Sequence, residues 1–463
     1  MRPLNDGEVA GLVGAAVLGA WLGSHGARPV VLLSVVLCSM CAWSRGRPRL
    51  RRWVRWWVLV LLVVGLHSTH SWRAAHSPRL GPYRGWADVI ADPVVAGRGV
   101  RTVVGIDGQR FDMWAYGRLR SAVGRLVAGE QVWVSGVRAP SDDGRRAAVR
   151  HVVGTFAADV VADRRPGSPA MQSANRVRQR IAASADASMD DVDASLFTGL
   201  VMGDDRHQPR WLVDAFRRAG LSHLTAVSGQ NVAYVLAGFA PLLSRLRPRP
   251  RWLATCLVVV WFMAVTRFEP SVLRAGCMAM TSATATALGR TASARRLVML
   301  AVMALLLVDP LLLWSVSLWL SVGATLGVVD VAPRLVDLLP GPRWCRQALG
   351  TSFGAQVGVA IPSLLVFGHL SFVGPFANLF AVPVAGLVML FGLPASLIVP
   401  ALPVPISSWV MAPLRWGTEA VGGVALLASS LEPRGRWSTI CWLTLLAVGF
   451  LWWCVRRRGA VPI

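Results

Sequence analysis

Long apolar stretches recur through most of this chain, separated by short polar loops and by one extended polar stretch from Ser68 to Leu221. A membrane-crossing helix needs about 20 mostly apolar residues. Twelve segments approach that length: Val9–Gly23, Pro29–Trp43, Trp53–Leu66, Ser222–Leu243, Trp252–Phe268, Val272–Gly289, Leu297–Leu307, Leu312–Val329, Phe353–Phe367, Phe376–Val399, Val410–Leu431 and Thr439–Cys454. Arginine-rich short loops mark the cytoplasmic side of a membrane. Here they are Arg45–Arg55, Arg245–Arg251, Arg290–Arg296, Arg334–Arg346 and Arg456–Arg458, which follow the second, fourth, sixth, eighth and twelfth segments. All five therefore fall on one side, and both termini are expected in the cytoplasm. Trp53, Trp56, Trp57, Trp452 and Trp453 lie beside these runs, where an interfacial aromatic belt belongs.

The same parity places Ser68–Leu221 outside the cell; long loops translocate largely regardless of their charge. Within it, Gly97–Ile106, Gln109–Gly117, Glu130–Arg138 and Arg146–Val161 read as strands, with partial alternation and breaks at Asp107-Gly108 and Ser141-Asp142-Asp143-Gly144. Four or five strands in so short a stretch suit a small barrel of the OB type. From Gln172 to Ala185 the pattern turns helical and basic, with Val177 and Ile181 on one face. The predicted fold is a polytopic α-helical membrane protein of about twelve transmembrane helices with a small extracytoplasmic all-β OB-like domain. Its expected parts are N-terminal transmembrane helices (1–67), the OB-like domain (68–171), an amphipathic helical connector (172–221), a transmembrane core (222–455) and a basic cytoplasmic tail (456–463).

Composition agrees: 54% of the 463 residues are hydrophobic, only 16% are charged, and the formal net charge is +24. An ordinary soluble domain is about one quarter charged. All 48 basic residues are arginine. The absence of lysine removes the Walker A phosphate loop and Schiff-base chemistry, while guanidinium forks suit bidentate phosphate contacts. None of the seven cysteines lies in the polar stretch, and Cys38-x-x-Cys41, without a second pair or a nearby histidine, reads as helix packing. A cleaved signal peptide is disfavoured because a second apolar segment follows the first at once.

Polar groups at membrane depth are costly and so are functional candidates. They cluster at Gly203-Asp204-Asp205-Arg206 with Gly220–Asn231, at Glu269–Arg274, at Asp309-Pro310, and at His369 with Ser371, Gly374, Pro375, Asn378 and Pro383. By the topology above, all four clusters lie at the outer ends of their helices. Ser271 and Arg274 share a helix face at i, i+3, and Gly229 together with the proline-interrupted tenth segment permits broken helices lining a polar pathway. Each cluster also has a structural reading: interfacial snorkelling for Arg274, an interfacial histidine at His223, a packing notch at Ser228-Gly229, and a cap or interhelical hydrogen bond at Asn378. Hydrolase chemistry finds no support. Ala226-Val227-Ser228-Gly229-Gln230 lacks the first glycine of a nucleophile elbow, and the histidines include no zinc motif. No catalytic residue, metal or cofactor is assigned.

The stretches Leu196-Phe197-Thr198-Gly199-Leu200-Val201-Met202-Gly203-Asp204 and Ala215–Gly229 (Ala-Phe-Arg-Arg-Ala-Gly-Leu-Ser-His-Leu-Thr-Ala-Val-Ser-Gly), with Pro270–Ala275 and Phe367–Ser371 running on to Asn378 and Pro383, resemble the ComEC family of competence proteins. The resemblance extends over nearly the whole chain. It implies a channel of the bacterial cytoplasmic membrane that conducts single-stranded DNA during natural transformation. A pathway is then expected along Asp204, Arg206, His223, Ser228, Gly229, Asn231, Ser271, Arg274 and Asn378. In the OB-like domain, Trp114, Tyr116 and Trp133 would stack bases, and Arg101, Arg110, Arg118, Arg120 and Arg138 would meet phosphates. One or more of these aromatics would instead fill the barrel core on a purely structural reading. The expected partners are single-stranded DNA, membrane lipids, a DNA receptor on the outer side, a cytoplasmic ATPase, a separate nuclease, and further copies of the chain as a homo-oligomer.

Two departures stand out. Gln230-Asn231 occupies a place where many relatives have a histidine. The chain also ends at Ile463 without the metallo-β-lactamase-like domain of many relatives, so strand degradation is expected from another protein. The competing reading is a secondary transporter or lipid-linked-substrate flippase using the same cavity. A third is a membrane-anchored binding protein whose insert does the work.

Overall fold

A computed structural model describes residues 6–43, 48–141, 144–225, 229–289, 293–435, 437–445 and 447. In chain order, α1 (Asp6–Gly23), α2 (Ala27–Trp43) and α3 (Pro48–Ala75) precede β1 (Gly81–Val89), β2 (Val94–Ala96), β3 (Gly99–Ile106) and β4 (Gln109–Ala115). Short helices α4 (Leu119–Gly124) and α5 (Gly144–Val149) flank β5 (Gln131–Pro140), and β6 (Val152–Arg165) closes the β region. There follow α6 (Pro169–Asp186), α7 (Asp191–Met202), α8 (Arg210–Arg218), α9 (Ser222–Thr225), α10 (Gly229–Leu243), α11 (Pro248–Val265), α12 (Pro270–Ala287) and α13 (Ala294–Val308). The last are α14 (Val316–Leu326), continued through a π-helical turn (Gly327–Val331) into α15 (Ala332–Leu338), then α16 (Arg343–Phe367), α17 (Gly374–Ile398) and α18 (Val404–Leu431). The chain divides into two compact units, Met1–Val177 with Leu242–Leu318, and Arg178–Pro241 with Trp319–Ile463.

In the first unit, α1 lies against α3 at glycines. A Cβ on Gly19 or Gly23 would run into the backbone of Leu61 or Gly65, and the Ser68 and Thr69 hydroxyls donate to the Ala20 and Gly23 carbonyls across the seam. Small residues and interhelical hydroxyl bonds are how helices associate where no hydrophobic drive distinguishes protein from lipid. The six strands form one sheet in the order β1-β5-β6-β4-β3-β2. A further β1–β3 pairing at Val89 and Val104 closes β1, β3, β4, β6 and β5 into a ring. The β4–β6 pairing is parallel and the others are antiparallel. Val104, Ile106, Phe111, Met113, Val132 and Phe156 fill the interior, all with essentially no exposure.

The sheet fits the expected small OB-like domain, with differences at β1, at β2 (Val94–Ala96, which precedes the first predicted strand) and at β6. β1 was not among the predicted strands, because Gly81-Pro82 and Gly85 mask its alternation. The predicted strand from Arg146 starts only at Val152, since Gly144–Val149 folds as α5 and His151 turns the chain at φ +56°.

Ion pairs hold the β domain to helices of the same unit. Asp92, in the β1–β2 loop, accepts from Arg267 Nε (2.8 Å) and Nη2 (2.9 Å) and from the Ala128 amide, while Arg267 Nη1 donates to Asn175 on α6 at 2.6 Å. On another side, His151 Nε2 lies 2.8 Å from Asp309 and the Arg145 guanidinium stacks 4.8 Å from the Trp314 ring centroid.

In the second unit, the stretch Val316–Leu338, α16 and Gly374–Ala401 are the three helical stretches among the described residues long and apolar enough to cross a membrane; Ala27–Ser39 in the first unit is a shorter apolar helix. Among the described residues no other helix meets that length and apolarity, so the expected count of about twelve is not reached there. α10 and α13 have 15 residues each, and α3 carries arginines through its first turns. Half of the predicted span Thr439–Cys454 and all of the basic tail lie outside the described residues. The stretch read as an amphipathic connector is not uniformly amphipathic. α7 is buried on nearly all sides, with Phe197 and Val201 against Gly392 of α17 and Leu196 against Gly422 of α18, and Ser184 at the end of α6 donates to the Ser396 carbonyl.

The helices Val316–Leu338 and α16 meet through Gly323, Gly327, Gly354 and Gly358. A Cβ on Gly358 would collide with the Gly323 carbonyl oxygen, whereas one on Gly238 of α10 would meet nothing within 4 Å. Gly358→Ala should therefore lower stability by about 1–3 kcal/mol through overpacking, and Gly238→Ala should leave it unchanged or raise it slightly. Thermal unfolding of the two variants in one detergent checks the contrast.

Candidate nucleic-acid interface

Alternation along β4 decides which side chains face out. Phe111, Met113 and Ala115 point into the barrel, so Asp112 and Trp114 point away from it. Asp112 is covered by Arg150, whose guanidinium donates to both carboxylate oxygens at 3.1 and 3.5 Å. Trp114 and Tyr116 are left as neighbouring plates, with ring centroids 6.2 Å apart and planes 7° from parallel. Arg101, the cross-strand partner of Trp114 on β3, places its guanidinium 5.9 Å from the Trp114 ring. Gly99 makes room for this: a Cβ there would strike the Tyr116 ring at 2.8 Å. Tyr116 is exposed, as are Arg110, Arg118 and Arg120 along the same strand and the turn after it. Trp114 and Tyr116 thus share one outward side of β3–β4, and neither ring belongs to the core.

Two expected members do not share it. Trp133 sits on β5, whose neighbours are β1 and β6, and pairs directly with Trp86 rather than joining Trp114 and Tyr116. Arg138 is occupied: Nη1 donates to Asp107 at 3.0 Å, the guanidinium lies 5.3 Å over Tyr83, and the side chain is only 11% exposed. It braces the turn between β3 and β4 and is not presented to a ligand.

The polar cluster after α7 is an ion-pair knot. Asp190 caps the start of α7 by accepting from the Asp193 amide, and Gly203 ends it in the left-handed conformation at φ +71°, which places Asp204 beside α6. There Asp204 accepts from Arg206 Nε and Nη2 and from Arg178 Nη2, each at 2.6 Å, with its side chain 6% exposed. Burial pushes the Asp204 carboxyl up, but the hydrogen bonds from Arg206 and the charges of Arg178 and Arg206 outweigh it and hold the group at about 2. Asp204 and Arg206 are thus paired with each other, with Arg178 as the second cation on Asp204.

Of the other pathway candidates in the second unit, His223 is exposed, with Nδ1 3.2 Å from the Gly220 carbonyl, and Gly229 opens α10. Ser228 lies outside the described residues. Asn231 is buried and donates to the Leu200 carbonyl at 2.9 Å, joining the start of α10 to the end of α7. Asn378 sits in the second turn of α17, its Oδ1 buried without a hydrogen-bond partner among the described residues. In the first unit, Ser271 and Arg274 lie in the first turns of α12, Ser271 half-buried and Arg274 buried.

One element escaped the sequence reading. Glu432, just past α18, accepts from the Ser371 hydroxyl (2.9 Å) and from the Phe372 (2.8 Å) and Val373 (2.9 Å) amides, while Ser371 Oγ accepts from the Gly374 amide. A carboxylate from a distant segment thereby satisfies amides at the start of α17, where the helix dipole favours negative charge. No local spacing signals a pair separated by 61 residues.

Residues 200–458 match the family model described as Competence protein. The Competence protein ComA of Neisseria gonorrhoeae is 31% identical over 243 residues, covering 50% of this chain and 31% of that protein. The Uncharacterized protein YcaI of Escherichia coli (strain K12) is 26% identical over 206 residues, covering 41% of this chain and 27% of that protein. The chain spans about a third of the length of these curated relatives. No solved structure matches significantly.

The sign of the pH response follows from Asp204. Its folded value, about 2, is below the ordinary 3.8, so its contribution is fully present above pH 4 and is lost as pH falls towards 2, amounting to roughly 2 kcal/mol. Asp204→Asn should remove that acid-side dependence and lower stability at neutral pH by about 3 kcal/mol, because two guanidiniums lose their shared charge. Unfolding followed between pH 5 and pH 2 in detergent measures both effects.

Proposed function

This chain belongs to the competence-protein family, whose model covers residues 200–458, and from that premise we propose that it conducts single-stranded DNA across the bacterial cytoplasmic membrane during transformation. The observation that carries the proposal is the outward-facing stack of half-buried Trp114 on exposed Tyr116, with Arg101 beside it on β3–β4. Flat aromatic plates bind single strands because every base has a π-face, and flanking arginines hold the backbone.

The ring order β1-β3-β4-β6-β5, with its parallel β4–β6 pairing, supports an OB assignment. In such barrels the second and third strands of the ring form the ligand face, and these are β3 and β4. Bases would stack on Trp114 and Tyr116, and phosphates would meet Arg101, Arg110, Arg118 and Arg120. The strand would then cross a twelve-span bundle whose termini are cytoplasmic and whose β domain is extracytoplasmic, with His223, Asn231 and Asn378 of the second unit as candidates for its path.

Inward movement against an inside-negative potential costs about 2.3 kcal/mol per charge per 100 mV, and each nucleotide carries one charge. The work would therefore come from a partner such as a cytoplasmic ATPase docking at the arginine-rich loops, or from a coupled proton flow, with a receptor and a nuclease handling the DNA before entry.

Full-length protein in zwitterionic nanodiscs is expected to bind fluorescein-labelled oligothymidine with an affinity that falls steeply with salt. Trp114→Ala with Tyr116→Ala should weaken binding by about 1–3 kcal/mol per lost stack, read by fluorescence anisotropy. Absence of salt-sensitive binding by the wild type would overturn the reading.

A further inference from the structure

We propose that the barrel carries a second, separate single-strand platform on β1, β5 and β6, built from Trp86, Trp133, Arg84 and Arg165; the proposal rests on the nucleic-acid reading of the β3–β4 face. Trp86 and Trp133 are direct partners in the antiparallel β1–β5 ladder, so their side chains rise on the same side of the sheet with Cβ atoms about 5 Å apart. Ala87, Val89, Val132 and Val134 point inward, which directs both indoles outward. Each is half-buried and offers part of its surface to solvent.

The cations are placed on both sides of this rung. Arg84 pairs with Ser135, two residues along β5 in one direction, and Arg165 pairs with Gln131, two residues in the other. At about 3.4 Å per residue the two attachment points bracket the tryptophans over about 14 Å. Both guanidiniums lean back over the indoles: Arg84 lies 5.7 Å from the Trp133 ring centroid and Arg165 3.9 Å from that of Trp86. A register shift on β6 between the partners of Val132 and Val134 makes the second approach possible, as a bulge re-aims the side chains beyond it. A guanidinium stacked on a ring keeps its N–H edge available for a phosphate while its face extends the aromatic surface.

Two exposed acids lie near the patch: Asp88, which accepts from Gln131 Nε2 at 2.8 Å, and Asp163, two residues before Arg165 on β6; Arg164 is directed to the Ala122 and Arg125 carbonyls. Stacking plates with cations at both ends match a flexible strand that alternates π-face and phosphate. The face differs from the β3–β4 platform in strands and in residues. A strand engaging both would wrap part of the barrel and make more phosphate contacts than either face can.

The test compares salt dependence. Each phosphate contact to a single strand contributes about 0.7 to the slope of log affinity against log salt. In full-length protein binding labelled oligothymidine, the double substitution Arg84→Ala and Arg165→Ala should lower the slope by about 1.4, and Arg84→Lys with Arg165→Lys should restore most of it by returning the charges. Wild-type binding with an unchanged slope in the alanine variant would overturn the second platform and leave the first intact. Failure of the wild type to bind would overturn both.

Discussion

An arginine that leaves water must meet a carboxylate, because an unpaired buried guanidinium is among the costliest groups a fold can hold. This chain has twice as many basic as acidic residues, so carboxylates are the scarce component and their positions organise the polar interior. Asp204 takes Arg178 and Arg206, Asp92 takes Arg267 with Asn175 alongside, Asp112 takes Arg150, and Asp107 takes Arg138. Each pair sits where elements must be joined: α6 to the end of α7, the β1–β2 loop to the segment after α11, β4 to the turn before β6, and the β3–β4 turn to β5. Pairs broken on one side would leave a buried charge behind, which makes these joints far stiffer than surface ion pairs.

The same scarcity explains the outer face of the barrel. On that face, Arg84, Arg101 and Arg165 lie against tryptophan rings. An indole face stabilises a cation without neutralising it. The positive charge therefore stays available to an incoming anion, and the chain's excess of arginine becomes a surface property of the β domain.

Local pattern carried some of this and could not carry the rest. The helix expected over Gln172–Ala185 appears as Pro169–Asp186, and the strands expected from Gly97 and Gln109 appear as β3 and β4, because each is set by the periodicity of its own residues. Trp114 and Tyr116 were legible as a pair because residues two apart on a strand share a face whatever the strand's neighbours are. Trp133 and Arg138 were not, since their surroundings depend on ring closure through β1, a strand hidden by its glycines and proline. α7 lies within the stretch read as an amphipathic connector, yet it is buried against α17 and α18, more than 180 residues further on. Glu432 at the start of α17 is the extreme case, a cap supplied entirely by tertiary structure.

In the proposed reading, the strength of the barrel's platforms has to suit a moving polymer. A base stacked on an aromatic ring contributes about 1–3 kcal/mol, and moving one nucleotide's charge through 100 mV costs about 2.3 kcal/mol. These are of the same order. Platforms of a few plates, each reinforced by an arginine screened by salt, hold a strand against diffusion while letting a motor advance it one nucleotide at a time. A deep base-specific pocket would add the cost of breaking directed hydrogen bonds at every step and would favour some sequences over others. The outer faces of this barrel carry flat rings with arginines stacked against them, an arrangement suited in this reading to sequence-indifferent passage.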